Sequence, residues 1–279
     1  MKGVAMRGRS VRGFGLMELL VVLGVLVVLG SVALATTANN RRSARQATNS
    51  TQLRGIHQGC VIYAQGNRGH FPGLAGTGAV LPGKDIPFRV RDGRHTASRF
   101  ALLLAANTFT PEYIINPADT DADLFEMPRG DQKDVQEDLL TTDHHSYATL
   151  NVDAPQGVVN ERIKEWSETL NTRAVVQGDR NTGVDGGRQV SSVWTEQDSG
   201  DWRGTVVHND NSTSFETTQV KDMTQYGAGE VNRGDSLFES EGGADALLTF
   251  YLNDRLEEER AERDGGPGAG LVLGERVWP

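Results

Sequence analysis

The sequence predicts an α+β fold, in which one long N-terminal helix crosses a membrane with its first half and packs on an antiparallel β-sheet domain. Two observations predict it. Glu18 is the only charged residue from Leu16 to Ala35, a run dominated by Val, Leu and Ala, and later segments combine β-branched residues with turn residues between them. With 279 residues, the chain is long enough to bury a substantial core.

Charge is distributed unevenly along the chain. Residues 1–60 carry eight Lys or Arg against the single acid Glu18, a net charge of +7, whereas the whole chain carries −9. Residues 61–279 therefore carry a net charge of −16. Because phosphate binding needs clustered cations, this acidic part argues against a nucleic-acid partner. The single cysteine, Cys60, excludes an intrachain disulfide.

The apolar run is long enough to cross a membrane. A helix over residues 14–38 would measure roughly 37 Å, against a hydrocarbon core of about 30 Å, and the basic residues before it would stay cytoplasmic. A secretory signal cut at Ala33-Leu34-Ala35 is one alternative, but the run is long for that role. A plain signal anchor is another, and it leaves the acid at position 18 unexplained.

The residues around this acid resemble a known processing signal. The stretch Arg12-Gly13-Phe14-Gly15-Leu16-Met17-Glu18-Leu19-Leu20-Val21-Val22 is similar to the class III signal of type IV pilins and type II secretion pseudopilins. In that family a basic leader ends in Gly, Phe usually follows, and Glu is the fifth residue of the mature chain. Gly15 and Met17 depart from the usual residues, but the cleavage pair and the acid are present.

This resemblance implies how the chain is processed and assembled. Gly13 would be the residue after which a prepilin peptidase cuts, and Phe14 the N-methylated terminus. Glu18 would meet the N-terminal amine of a neighbouring subunit, so that a costly buried carboxylate sets the register of assembly. The implied partners are the prepilin peptidase, other pilin-like subunits bound through the N-terminal helix, and the inner membrane.

Beyond the apolar run, the helix is expected to become amphipathic and to end near Gly66. Leu53, Ile56, Cys60 and Ala64 recur at spacings of three and four, which places them on one face. Cys60 is therefore interpreted as a small core residue. We also expect a short helix at 100–107, strands at 145–151 and 174–176, a hairpin at 204–218 turning at Asn209-Asp210-Asn211, and a last helix at 243–263.

Three later stretches resemble large pseudopilin-like proteins. One is Pro111–Asp119, where Asn116 stands at a position that often carries Cys in that family. The others are Gly178-Asp179-Arg180-Asn181 and the run from Trp202-x-Gly204 to Glu216. Their order along the chain agrees with the N-terminal resemblance.

Known enzyme motifs are missing from the sequence, so we do not expect an enzyme. There is no Walker loop, nucleophile elbow, His-Glu-x-x-His or dinucleotide fingerprint. Asp119, Asp121 and Asp123 resemble the start of a calcium loop, but Leu124 stands where Gly is needed and no Glu closes the loop. These three residues are the candidates for a calcium site, and a solvated acidic loop is the favoured interpretation; no other cofactor is expected.

The sequence therefore predicts a single-pass inner-membrane protein with a cytoplasmic N-terminus and an extracytoplasmic C-terminal domain. Its expected role is that of a pilin-like or pseudopilin subunit of a type II secretion pseudopilus or a type IV pilus-like fibre. A membrane-anchored binding module or adhesin is the alternative, favoured if Trp194 and Trp202 are exposed, and an anchored enzyme is a weaker one. The expected segments are a leader (1–13), a transmembrane half-helix (14–38), an amphipathic half-helix (39–66), an acidic α+β domain (67–263) and a tail (264–279).

Overall fold

The computed structural model describes residues 15–88, 90–127, 140–152, 161–182, 190–195, 201–238 and 248–249, without the side chains of residues 29–39, 142 and 248–249. The chain divides into two compact units between Arg45 and Gln46. The first contains the start of the N-terminal helix. The second contains the end of that helix, the sheets and the core.

The N-terminal helix, α1, spans Leu16–Gly66. It begins after Gly15, whose N–H donates to Glu18 Oε2 at 3.1 Å. It ends where the amides of Asn67 and Gly69 both donate to the carbonyl of Ala64, and Gly69 adopts a φ of 87°. A positive φ just past the last turn is a common way to end a helix, and glycine adopts it without strain.

The predictions for the first half of this helix need correction. Among the residues whose side chains the structure describes, no helical stretch is both long and apolar enough to cross a bilayer. This finding contradicts the transmembrane half-helix and the inner-membrane, single-pass localisation. The predicted fold class is therefore also wrong, because it gave the N-terminal helix a membrane-spanning first half. Only the part of α1 from Gln46 onward belongs to the unit that contains the sheet.

The main sheet is antiparallel, with strand order β4-β3-β2-β1-β7. Its central strands β1, β2 and β3 are buried, apart from the half-buried His208 at the end of β3. A second sheet pairs β5 with β6. The strands are β1 (Tyr147–Leu150), β2 (Val175–Asp179), β3 (Gly204–His208), β4 (Thr213–Glu216), β5 (Val220–Lys221), β6 (Asp235–Ser236) and β7 (Leu248–Thr249).

Two shorter helices and three 3₁₀ turns complete the described elements. Helix α2 covers Thr96–Ala105, beginning four residues before the predicted short helix, and α3 covers Glu161–Glu165. The 3₁₀ turns lie at Gly83–Asp85, Pro111–Ile114 and Thr142–His144.

The strand predictions at 145–151 and 174–176 and the hairpin at 204–218 are confirmed. In the hairpin, Thr205 pairs with Phe215 and Val207 with Thr213, and Asn211 takes a φ of 65° in the turn. The last helix predicted at 243–263 is wrong at residues 248–249, which form β7 against β1. Its remaining residues lie outside the described ranges.

The core forms between the second half of α1, the sheet and α2. The predicted apolar face of α1 is confirmed, because Leu53, Ile56, Cys60 and Ala64 are all buried. Cys60 contacts the sheet through Gln177 of β2, whose Nε2 lies 3.3 Å from Sγ. Cys60 is a free, buried thiol, as expected for a core residue.

Helix α2 is held to β1 by a buried arginine. Arg99 donates to Thr149 Oγ1 at 2.7 Å and to the carbonyl of Leu150 at 2.6 Å. Its guanidinium lies 4.3 Å above the ring of Trp166, a cation–π distance. The methylene stem and planar head of one arginine thus join a helix, a strand and an aromatic ring.

Candidate functional site

The processing residues predicted from the sequence are only partly within the described structure. Gly13 and Phe14 lie outside the described residues. Glu18 is described, and it stands at the third helical position of α1, from which its carboxylate accepts the N–H of Gly15. This is half of a capping box, an arrangement that satisfies an amide that the helix itself cannot pair.

Around Glu18, the surface of α1 is apolar and uncovered. The large apolar side chains from Leu16 to Val28 are between 46% and 79% exposed. They point in every direction around the helix, so no single face accounts for them. An exposed apolar surface of this extent normally marks a place where another molecule binds.

The three calcium candidates do not converge on one point. Asp119 is buried, and its carboxylate accepts Ser146 Oγ at 2.7 Å and pairs with Arg180 at 3.0 Å. Asp121 and Asp123 are exposed on the following loop. Within the described residues, no group of three His, Cys, Asp or Glu side chains could hold a metal ion. The calcium site stays a prediction, and Asp119 has a structural role.

The polar centre of the molecule is a different aspartate, Asp179, at the end of β2. Its carboxylate is buried and accepts hydrogen bonds from three side chains and one backbone amide. Asn49 Nδ2 donates to both oxygens at 3.1 and 2.9 Å, and Asn116 Nδ2 donates to Oδ1 at 2.7 Å. Trp194 Nε1 donates to Oδ2 at 3.0 Å, and the amide of Thr205 donates to it at 2.7 Å.

These donors come from separate parts of the chain. Asn49 lies on α1, Thr205 on β3, Asn116 just beyond the second 3₁₀ turn, and Trp194 in the segment 190–195. Tyr147 of β1 joins them, because its hydroxyl donates to Asn49 Oδ1 at 2.8 Å. We call Asp179 and these five residues the Asp179 hub. It connects α1 to three neighbouring strands of the sheet.

The electrostatics of the Asp179 hub are unusual. Among the described residues, no lysine or arginine pairs with Asp179, and the nearby Arg180 guanidinium is paired with Asp119. Burial raises the pKa of Asp179 to about 7, while the hydrogen bonds from Thr205, Asn116, Asn49 and Trp194 act in the opposite direction. Burial and the charge of Asp179 likewise raise the pKa of Tyr147, so its hydroxyl stays protonated.

Trp202 and Gly204 pack beside Asp179 in this hub. A Cβ on Gly204 would lie 2.4 Å from Trp202 Cζ2 and 2.9 Å from Asp179 Cβ, so no side chain fits there. Trp202 is fully buried, and its Nε1 donates to the carbonyl of Arg180 at 3.2 Å. Trp202 and Gly204, the two fixed residues of the Trp-x-Gly pattern, therefore pack directly beside Asp179.

The hairpin turn has its own buried acid, Glu165 at the end of α3. Asn209 Nδ2 donates to the carbonyl of Glu165 at 2.7 Å and to its Oε2 at 3.0 Å. Asn171 Nδ2 and the amide of Gly227 donate to Oε1, both at 2.8 Å. Asn209 therefore ties the turn to α3, which goes beyond the turn chemistry predicted for it.

Neither tryptophan named for the binding-module alternative lies at the surface. Trp194 is 3% exposed and Trp202 is fully buried. Their indole N–H groups are both engaged, by Asp179 and by a backbone carbonyl. The exposed aromatic cluster that would have favoured an adhesin is therefore not formed by these two residues.

Sequence reasoning missed the hub, although one signal could have revealed it. Asn49 stands four residues before Leu53, on the same face of α1 as the predicted core residues. A polar side chain on a buried face needs a hydrogen-bond partner, which predicts a buried polar contact but not its identity. No family model matches the chain, and neither a curated protein nor a solved structure was found to be similar to it.

Proposed function

We propose that this chain is a pilin-like subunit, processed by a prepilin peptidase and assembled through its N-terminal helix into a fibre of the pseudopilus or type IV pilus kind. The observation that carries the proposal is the uncovered apolar surface of α1 between Leu16 and Val28, interrupted only by Glu18. That surface needs a cover, and the corresponding helices of other subunits would supply one of matching chemistry.

The resemblance of residues 12–22 to a class III signal supports the same proposal. Cleavage after Gly13 would leave a free amine on Phe14, next to the Gly15 amide that Glu18 now accepts. The carboxylate is therefore already directed toward the end of the helix where the new amine would form. In an assembled fibre, the amine of a neighbouring subunit would compete for the same oxygens.

Two substitutions at this position separate charge from helix capping. Glu18→Gln keeps a side chain that can accept the Gly15 N–H but removes the charge, whereas Glu18→Val removes both. If assembly depends on the charge, both variants are cut normally and both fail to enter fibres. Leu19→Val is the matched control and should assemble. Incorporation of the Gln variant at the wild-type level would overturn the assigned role of Glu18.

The binding-module alternative has no observation in its favour within the described residues. Trp194 and Trp202, the aromatic residues on which it depended, are part of the interior.

The acidic surface of the second unit would then serve as the outer face of the fibre, keeping it soluble by mutual repulsion.

A further inference from the structure

Within the second unit, α1 has an exposed side that carries almost no charge. Among residues 46–66, Arg54 is the only lysine, arginine, aspartate or glutamate, although residues 61–279 carry a net charge of −16. Helix faces directed at water are normally rich in charge, whereas the centres of interfaces are depleted of it. We call this side the outer face of α1; its exposed residues follow one another at spacings of three and four, as Ala47, Thr51, Arg54, Gln58, Ile62 and Gln65.

An aromatic pair extends the outer face to one side. The ring centroids of Phe109 and Tyr113 lie 6.0 Å apart, with their planes inclined by 22°. Both rings approach the backbone of α1 at glycines, since a Cβ on Gly55 would lie 2.7 Å from Tyr113 Cε1 and one on Gly59 would lie 3.1 Å from Phe109 Cε1. Glycine is a poor helix former, so its presence at both contacts favours a close fit of the rings over helix stability.

Apolar side chains of this region remain open to solvent. Ile62 follows Gly59 by three residues, which places it on the same side of α1 as the aromatic pair. Its side chain is 53% exposed, and that of Tyr113 is 38% exposed. An uncharged face with exposed aliphatic and aromatic side chains is typical of a surface that another protein covers.

The chain itself contains a surface of matching chemistry. The large apolar side chains between Leu16 and Val28 are 46–79% exposed, and Glu18 is the only charge among these residues. This segment measures roughly 18 Å at about 1.5 Å per residue, and the outer face from Ala47 to Gln65 measures roughly 27 Å, so the segment fits along it. An apolar helix laid on an acidic surface would take carboxylates out of water at a cost. Residues 46–66 contain no carboxylate, so this cost does not arise there.

We propose that the outer face of α1, together with Tyr113, binds the apolar segment Leu16–Val28 of a second copy of this chain. The contact joins two different surfaces, the first unit of one copy and the second unit of the next. Such a heterologous contact adds copies head to tail, and it produces a ring or an open filament instead of a closed dimer. The inference rests on the part of the proposed function in which copies associate through the N-terminal helix, and it names the surface that receives that helix.

A photoreactive side chain on the outer face tests the contact. In the purified full chain, p-benzoylphenylalanine takes the place of Ile62 or, in a second chain, of Gln58. Val231 is 40% exposed in the loop between β5 and β6, and the same replacement there is the matched control. After irradiation, the band at twice the chain mass is isolated, and the linked peptides are identified by mass spectrometry. The N-terminus of each chain is sequenced separately, so that a failure of processing is scored apart from a failure of contact.

We expect the probes at positions 62 and 58 to link to a peptide that contains residues 16–28, and the probe at 231 not to do so. Tyr113→Arg should lower the yield of the link from position 62 by about tenfold or more, because it places a charge in an apolar contact, whereas Val231→Arg should leave the yield unchanged. Links from positions 62 and 58 only to other peptides, or no linked dimer from either, overturn the proposal.

A probe in place of Leu23 separates this result from the proposed function. If Leu23 links to residues 16–28 of another copy while positions 62 and 58 give no such link, copies still associate through their N-terminal helices and only the proposed docking face is wrong. If none of the three positions gives a linked dimer, association through the N-terminal helix is contradicted as well.

Discussion

The side-chain amide of Asn49 donates to both carboxylate oxygens of Asp179, at 3.1 and 2.9 Å, across 130 residues of sequence. A second contact, between Gln177 Nε2 and Cys60 Sγ at 3.3 Å, also joins α1 to β2. The same asparagine accepts the hydroxyl of Tyr147 at 2.8 Å. It therefore satisfies a buried acceptor and a buried donor at once, and it links the part of α1 from Gln46 onward to the sheet.

Replacing Asn49 by alanine should destabilise the fold by about 1–3 kcal/mol, because Asp179 loses a donor and the Tyr147 hydroxyl loses an acceptor in the interior. The exposed Asn40 lies on the same helix and provides the control, since Asn40→Ala should change stability by less than about 0.5 kcal/mol. The free energy of unfolding from urea titration measures both. Equal losses for the two variants would show that the buried contact contributes nothing specific.

Gly204→Ala should destabilise the fold by about 1–3 kcal/mol or more, because a methyl group there would overlap the Trp202 ring and the Cβ of Asp179. Gly66 at the end of α1 is the matched control, with nothing within 4 Å of its added Cβ. Gly66→Ala should be neutral or slightly stabilising. Thermal unfolding followed by circular dichroism compares them, and an unchanged midpoint for Gly204→Ala would contradict the packing described at the hub.

His57 should make the fold sensitive to acid. Burial lowers the pKa of His57 from 6.5 to about 4, so the folded state binds fewer protons than the unfolded state between these values. Its contribution is therefore lost as the pH falls from about 6.5 to 4, by up to about 3 kcal/mol. The difference in unfolding free energy between wild type and His57→Gln should shift by this amount, and a difference independent of pH would refute a neutral buried His57.

At the other end of α1, Glu18→Gln and Glu18→Val should both be cut by the peptidase at the wild-type rate, because neither changes the Gly13–Phe14 pair. Both should be absent from fibres if the charge of Glu18 directs assembly. Immunoblots of whole cells and of sheared fibres separate the two steps. Loss of cleavage in either variant would place Glu18 in peptidase recognition instead.

Periodicity and turn chemistry predicted the parts of the fold that depend on local sequence. The buried face of α1 follows from the spacing of Leu53, Ile56 and Cys60, and the 204–218 hairpin follows from its β-branched flanks and the Asn209-Asp210-Asn211 turn. At residues 248–249 the prediction of helix was wrong because Leu248 and Thr249 pair with β1. Such a long-range pairing overrides local preference and leaves no local signal.

The Asp179 hub could not be predicted in full for the same reason. Its six members come from α1, three strands and two irregular segments, and only the tertiary fold brings them together. The sequence placed Asp179, Trp202 and Gly204 in stretches for which we predict a resemblance to pseudopilin-like proteins, and that resemblance stays a prediction. It gave no indication that Asn49 and Asn116 would be their partners, since asparagines are common at turns and surfaces.

The central proposal, a subunit processed after Gly13, is tested most directly by the N-terminus of the mature chain. The full chain is produced in a bacterium that contains a prepilin peptidase, and the purified protein is analysed by N-terminal sequencing and intact mass. We expect a chain that begins at Phe14 and carries one added methyl group, and an uncut chain for Gly13→Ala. A wild-type chain that keeps residues 1–13, or one that begins after Ala35, would contradict the proposal.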